Sequence, residues 1–260
     1  MSTSDSACAA KVVLVTGSSS GTGAHIARAF ARKGAQVAVH CRADIDGAAQ
    51  VVEDILKEGH AASAFQADLA SPGATRRLAA EVGERLGPVS ILVNNAGPFT
   101  DTPFIKLAER DWDAVLAVNL KAPFLLVQAL APTMISQGWG RIVNLGATSS
   151  LVRSHSIYGL AKAALVHLTE SLALELAPMV TVNAIMPSQI ASPRTDAMPL
   201  YKNAAIAGTP LGRLVTEEEI ADLAVRLCER EFDFMTGRAL VLDGGRTLPR
   251  FPRLDLPTRD

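Results

Sequence analysis

Lys11-Val12-Val13-Leu14-Val15-Thr16-Gly17-Ser18-Ser19-Ser20-Gly21-Thr22-Gly23 is the stretch that decides how this chain folds. Its first five residues are short, apolar and valine-rich, the pattern of a strand buried on both faces. A helical pattern follows from Ala24 to Lys33 and stops at Gly34. The glycines at 17, 21 and 23 between them suit a strand-to-helix turn. Such a turn lets backbone N–H groups approach a pyrophosphate, and the helix N-terminus adds partial positive charge. The spacing departs from GxGxxG, so the generic dinucleotide fingerprint does not apply as written. A flexible Gly/Ser turn is the plainer reading, and the position between a strand and a helix makes it the weaker one.

Working outward, strand patterns stand at Lys11–Thr16, Gln36–Cys41, Ala61–Ala67, Ser90–Asn94, Arg141–Leu145, Val180–Ile185 and Ala239–Leu242. Helical patterns alternate with them at Gly23–Lys33, Ile45–Glu58, Gly73–Leu86, Glu109–Ser136, Ser156–Leu176 and Glu217–Arg230. This alternation predicts an α/β fold, a doubly wound parallel sheet of about seven strands with helices on both faces. No long linker or internal repeat divides the 260 residues. A single domain is expected over 1–260, with 1–10 and 247–260 as peripheral tails. Pro187 to Arg213, with four prolines and few periodic apolar residues, is the least regular part and is expected to be an active-site lid. In sheets of this type ligands bind beyond the carboxyl ends of the strands. The turn after the first strand, the end of the second, Asn94–Gly97 and Gly146–Ser150 are therefore expected to converge on one crevice.

Composition narrows the function. Apolar residues make up 48% of the chain, enough for a substantial core, and the net charge is −1 with no basic stripe. That argues against nucleic acid as a partner. Met1 to Ala10 is small and polar, unlike a signal peptide. No run approaches the ~20 apolar residues of a membrane span. Cys8, Cys41 and Cys228 are few and widely spaced, which points to a reducing, cytoplasmic setting without a disulfide framework. None has zinc-ligand spacing, so no metal is expected.

Tyr158 and Lys162 stand four residues apart, on one face of a helical pattern. A free phenol has a pKa of roughly 10, and a nearby ammonium favours the phenolate, which brings proton transfer closer to neutrality. The pair alone is common by chance. With the motifs around it, the chain resembles the short-chain dehydrogenase/reductase family, from about Lys11 to Thr247. Thr16–Gly23 matches the family's TGxxxGxG loop, and Asn94-Asn95-Ala96-Gly97 its NNAG segment. Asn119, in Val118-Asn119-Leu120, matches its catalytic asparagine. Tyr158 and Lys162 match YxxxK, and Asp243-Gly244-Gly245 matches its closing turn.

The resemblance implies a Rossmann-type fold and a nicotinamide dinucleotide. It makes Tyr158 the general acid for ketone reduction, or the base for the reverse reaction. Lys162 lowers the phenol pKa and binds the nicotinamide ribose, and Asn119 holds a water in a proton relay. Cofactor contacts fall to Gly17, Ser19, Ser20, Gly21, Thr22 and Gly23 in the loop. Asp68 and Leu69 follow the third strand, and Asn95, Ala96 and Gly97 the fourth. Asp68 reads equally as an N-terminal helix residue before Ser71-Pro72, and Asn94 as a brace for the sheet. After the sixth strand, Pro187, Ser188, Ile190 and Ser192 cap the nicotinamide carboxamide, with Ser188 standing where the family has glycine. The second strand ends Val39-His40-Cys41-Arg42. Neutral Cys41 takes the family's acidic position, and Arg42 is placed to pair with the 2′-phosphate of NADP. Asp44 is an alternative partner for Arg42.

One departure concerns the serine that binds the substrate carbonyl. Aligning Arg141–Leu145 on the fifth strand puts Ala147 at its position, with Thr148, Ser149 and Ser150 next. The interval to Tyr158 is about two residues shorter than the family's. The shortening favours Ser149 as the replacement donor, then Thr148, with His155 as a further candidate. The leading expectation is an NADP-dependent carbonyl reductase, a homo-oligomer (tetramer or dimer) by family analogy. Phe99, Leu151, Val152, Ile157, Met186, Ile190 and Met198 favour an apolar or aromatic ketone. Two alternatives remain open. One is an NAD-linked alcohol dehydrogenase; the other is a dinucleotide-binding regulatory protein that has lost turnover.

Overall fold

A computed structural model describes residues 6–152 and 156–248. The strands β1 (Val12–Val15), β2 (Gln36–Cys41), β3 (Ala61–Gln66), β4 (Val89–Asn94), β5 (Gly140–Leu145) and β6 (Val180–Pro187) lie in one sheet. β7 (Ile190–Ala191) and β8 (Val215–Thr216) form a separate parallel pair, and β9 (Ala239–Leu242) closes the main sheet. Its order is β3-β2-β1-β4-β5-β6-β9, with every pairing parallel. This is the Rossmann-type α/β fold expected. The order reverses between β1 and β4, so the crevice lies beyond the carboxyl ends of those two strands.

Alternate residues of each strand serve opposite cores. Val13, Val15, Val37 and Val39 pack with α1 (Gly21–Arg32) and α2 (Ile45–Lys57) through Ile26, Phe30, Val51 and Ile55. Leu14 and Leu92 pack on the other face with α3 (Pro72–Leu86) through Leu78 and Val82. The helical pattern Glu109–Ser136 is not one regular helix. It divides into α4 (Glu109–Leu116), a π-helical turn over Ala117–Lys121, and α5 (Ala122–Ser136). Its length and composition alone would allow a membrane crossing. Leu126, Leu130 and Met134 nevertheless belong to the sheet-facing core. α6 (Ile157–Leu176) adds Leu172 and Leu176 to that layer.

Three expectations need correction. Pro187–Arg213 is more regular than its prolines suggest. Pro193 and Pro199 each open a helix, α7 (Pro193–Asp196) and α8 (Pro199–Ala207), where a missing N–H costs no hydrogen bond. The last long helix, α9 (Glu217–Arg226), stops before Arg230, which begins a short 3₁₀ turn. The N-terminal stretch is docked over its described part: Cys8 is fully buried, and Ser6 Oγ and Ala7 N–H both donate to Glu229.

A line of polar side chains crosses the sheet within the apolar core. Asn94 Nδ2 donates to Asn144 Oδ1 (2.8 Å), Asn144 Nδ2 to Thr169 Oγ1 (2.9 Å), and Thr169 Oγ1 to Leu165 O (2.8 Å). All three residues are buried. Asn94 is thus a brace, as one reading of the sequence has it.

Candidate active site

The glycine turn is built by contacts with the loop after β4. Thr16 Oγ1 accepts the N–H groups of Asn95 (3.0 Å) and Ala96 (3.1 Å). Asn95 Nδ2 donates back to Thr16 O (3.0 Å) and Gly17 O (2.9 Å). Gly23 is required by this approach, since a Cβ there would stand 2.2 Å from Gly17 O and 2.6 Å from Asn95 Nδ2. Ser20 precedes α1 without a side-chain cap. The first-turn N–H groups thus remain available to an anion. A turn packed this closely, leading into an uncapped helix, fits the pyrophosphate of a dinucleotide.

Asn119 lies directly behind Gly97. Its Nδ2 donates to Pro98 O and Val115 O, both at 3.1 Å, while its buried Oδ1 has no partner among the described residues. A Cβ on Gly97 would stand 2.2 Å from that oxygen. The π turn accounts for the residue that helix propensity disfavours: it holds an asparagine that competes for backbone bonds.

Tyr158 and Lys162 meet at the crevice floor. Ser156 Oγ caps α6 by accepting from Gly159 N–H, which fixes the first turn that carries Tyr158. Lys162 is buried, and its Nζ donates to Leu145 O (2.6 Å) and lies 5.5 Å from the Tyr158 ring centroid. Burial brings the ammonium down to about 8. Burial also pushes the Tyr158 phenol up to about 12, with Arg194 pulling the other way. The expected depression of the phenol by Lys162 is not found: desolvation raises it, and the opposing charge is that of Arg194. Phe99 packs edge-on against Tyr158, with ring centroids 5.1 Å apart, and the Arg194 guanidinium lies 5.0 Å from the Phe99 centroid.

A cavity of about 190 Å3 joins these parts. Its wall includes Thr22, Asn95, Gly97, Ala147, Tyr158, Lys162, Pro187, Ser188 and Ile190. That is smaller than the ~300–1,000 Å3 of a whole ligand pocket, which suits the reacting end of a longer groove.

Other expected site residues lie off this wall. Thr148 is buried, and Ser149 Oγ is buried without a partner among the described residues, whereas Ser150 Oγ is engaged with Ala147 O (2.7 Å). His155 falls outside the described residues. Ser192 accepts Thr195 N–H in a capping box on α7. Asp68 is exposed and accepts from Ala70 N–H (3.0 Å), ahead of α3 and not within it; Leu69 beside it is buried. Arg42 is exposed and makes no ion pair among the described residues. Asp44 instead caps α2 by accepting Gly47 N–H (3.1 Å).

The family model described as Enoyl-(Acyl carrier protein) reductase matches residues 17–247. A solved short-chain dehydrogenase/reductase from Serratia marcescens superposes with a TM-score of 0.87 at 33% identity, over 92% of this chain and 99% of that one. The chain belongs to the short-chain dehydrogenase/reductase family. It is therefore an oxidoreductase by family, as the motifs implied. The 3-oxoacyl-[acyl-carrier-protein] reductase FabG of Staphylococcus aureus is 35% identical, over 90% of this chain and 97% of its own. A gluconate 5-dehydrogenase from Burkholderia cenocepacia, solved with NADP and tartrate, has a TM-score of 0.85 at 31% identity, over 92% of this chain and 96% of that one.

Two residues of this short-chain dehydrogenase/reductase escaped the sequence reading. His40 is buried, its Nδ1 accepting Gly17 N–H (2.9 Å) and its Nε2 facing Ala67 O (3.1 Å). Arg194 stands beside the tyrosine that the motif identifies. The only signal for His40 was a basic residue within an otherwise apolar strand, and Arg194 had none.

Proposed function

We propose that this chain is an NADPH-dependent carbonyl reductase in which Tyr158 delivers the proton. The observation that carries the reading is the pairing of a half-buried phenol with a buried ammonium on one cavity wall. With Tyr158 held up to about 12, its proton is retained at neutral pH, the state needed to protonate a carbonyl oxygen. The joint presence of Asn119, Tyr158 and Lys162 at the crevice weighs against a purely regulatory protein.

The nicotinamide supplies the hydride when bound, and the chain supplies position and a proton. The Gly17–Gly23 turn and the α1 N-terminus hold the pyrophosphate, Pro187 and Ser188 cap the nicotinamide end, and Lys162 contacts its ribose. Asn119 Oδ1, buried without a partner among the described residues, is the acceptor through which a water reaches Lys162. Ser149 supplies the second donor to the carbonyl oxygen, ahead of Thr148; its hydroxyl has no partner among the described residues that would hold it from turning toward the cavity wall at Ala147. NADP is favoured over NAD because Cys41 carries no repelling charge and Arg42, exposed and without an ion pair among the described residues, can meet a 2′-phosphate. The NADP complex of the similar gluconate 5-dehydrogenase supports this.

On the substrate side, the apolar wall at Phe99 is joined by the cation of Arg194. A ketone bearing a nearby carboxylate or other anion suits that pair better than a wholly apolar one. Phe124, Leu160 and Leu174, exposed along α5 and α6, support assembly into a homo-oligomer. The test is turnover on neutral and carboxylate-bearing ketones with each cofactor. NADPH-dependent reduction that favours the anionic ketones, and falls about 10²–10⁴-fold in Tyr158→Phe with NADPH affinity intact, is the expected result. Retained activity in that variant removes the tyrosine mechanism.

A further inference from the structure

His40 is a buried titratable side chain with no role in the chemistry above. It is the residue before the last of β2, on the face covered by α3, and only 2% of it is exposed. Its Nδ1 accepts from Gly17 N–H, so the ring proton sits on Nε2 and is donated to Ala67 O. The backbone repeats the connection: His40 N–H donates to Ser18 Oγ (2.9 Å), and Ser18 N–H to His40 O (2.8 Å). Ser18 Oγ in turn donates to Val15 O (2.7 Å). One imidazole thus spans from the first glycine of the turn to the carbonyl that precedes Asp68. An imidazolium carries donors on both nitrogens, so protonation would set N–H against N–H at Gly17.

We propose that His40 is the positioning residue of the dinucleotide groove: its neutral imidazole ties Gly17 to Ala67, fixing the gap between the glycine turn and the third-strand wall, and its protonation releases the turn. This rests on the dinucleotide reading above. Burial lowers the imidazole from its ordinary 6.5, and the Ala67 bond partly opposes that. The charged groups on the elements around it are turned to solvent. Arg42 and Asp44 follow its own strand, Asp68 follows Ala67, and α3 exposes Arg76 and Arg77 while burying Thr75 and Leu78. The glycine turn carries no charged side chain, only the hydroxyls of Ser18, Ser19, Ser20 and Thr22.

The test is calorimetric titration of NADP+ into wild type, His40→Asn and His40→Leu, from neutral to acid pH. Asparagine keeps an acceptor for Gly17 but takes up no proton. Leucine should weaken binding about tenfold near neutrality, the scale of one buried hydrogen bond, and asparagine should recover most of that. Wild-type affinity should then fall more steeply than that of His40→Asn as pH drops below 6.5. The ligand phosphate's own ionisation is common to both proteins and cancels in their ratio. Identical pH profiles for the two proteins would overturn the proposal. A second readout needs no ligand: nitrogen NMR should show the Nε2–H tautomer near neutrality, and the Gly17 amide should titrate with the ring. If no variant binds NADP+ at any pH, the cofactor reading fails, and the Gly17 amide alone decides the clamp. If the leucine variant does not fold, the asparagine comparison and the amide decide.

Discussion

Replacing Gly97 by alanine tests how closely the cofactor loop is fitted to the helix behind it. The new Cβ would meet Asn119 Oδ1 at 2.2 Å and Asn119 Cγ at 3.0 Å. Asn119 must retreat by about 1 Å before such a contact is tolerable. That retreat stretches both of its 3.1 Å donations, to Pro98 O and Val115 O. Two hydrogen bonds at about 0.5–1.5 kcal/mol each, with about 1–3 kcal/mol of overpacking strain, give a loss of about 2–6 kcal/mol. At about 2–4 °C per kcal/mol for a chain of this size, Tm falls by about 4–24 °C. The assay is thermal unfolding of Gly97→Ala, Asn119→Ala and the double variant. With Asn119 truncated the clash partner is gone, so Gly97→Ala should then cost under about 1 kcal/mol, a coupling of at least about 1 kcal/mol. An equal cost in both backgrounds would refute the reasoning, because the strain would then lie elsewhere than in the Asn119 contact.

Arg42→Ala should lose on the order of 1–3 kcal/mol of NADPH affinity and little of NADH affinity by fluorescence titration; equal losses would show that the guanidinium does not meet the 2′-phosphate. Ser149→Ala and Thr148→Val, combined, should lower turnover by roughly 10²–10³, most of it from Ser149, and near-normal turnover would exclude both hydroxyls. Lys162→Met should change stability in a pH-dependent way. The folded pKa of about 8 lies below the unfolded 10.5, so the penalty for burying the ammonium is full below pH 8 and fades as pH rises toward 10.5. The Tm advantage of the methionine variant should therefore shrink across that window, and a constant difference would show that Lys162 titrates normally.

The sheet and the glycine turn were legible because their signals are local. Val12 to Val15 reads as a buried strand from its own composition, and the turn after it announces itself by glycine spacing. Asn119 was legible as a polar residue in an apolar helical pattern, though not the π turn that holds it. His40 was hidden because its partners Gly17 and Ala67 lie 23 and 27 residues away, and no local pattern encodes a bond across strands. Pro193 and Pro199 misled because a proline that breaks one helix also starts another. The phenol of Tyr158 was expected to move downward on the strength of one neighbour, Lys162. Sequence shows that neighbour but not the depth of burial that opposes it.

The polar line Asn94–Asn144–Thr169 constrains how this protein can drift over generations. Each side chain is satisfied through the next, so an apolar replacement at one position strands a buried partner at another. A stranded group costs about 1–3 kcal/mol, a sizeable share of the ~5–15 kcal/mol that holds a typical domain together. Single steps away from the trio are therefore steps downhill in fitness, even though none of the three lines the cavity. Escape requires paired substitutions that remove donor and acceptor together. The trio should thus change as a block or not at all, and descendants that differ at Asn144 should also differ at Asn94 or Thr169.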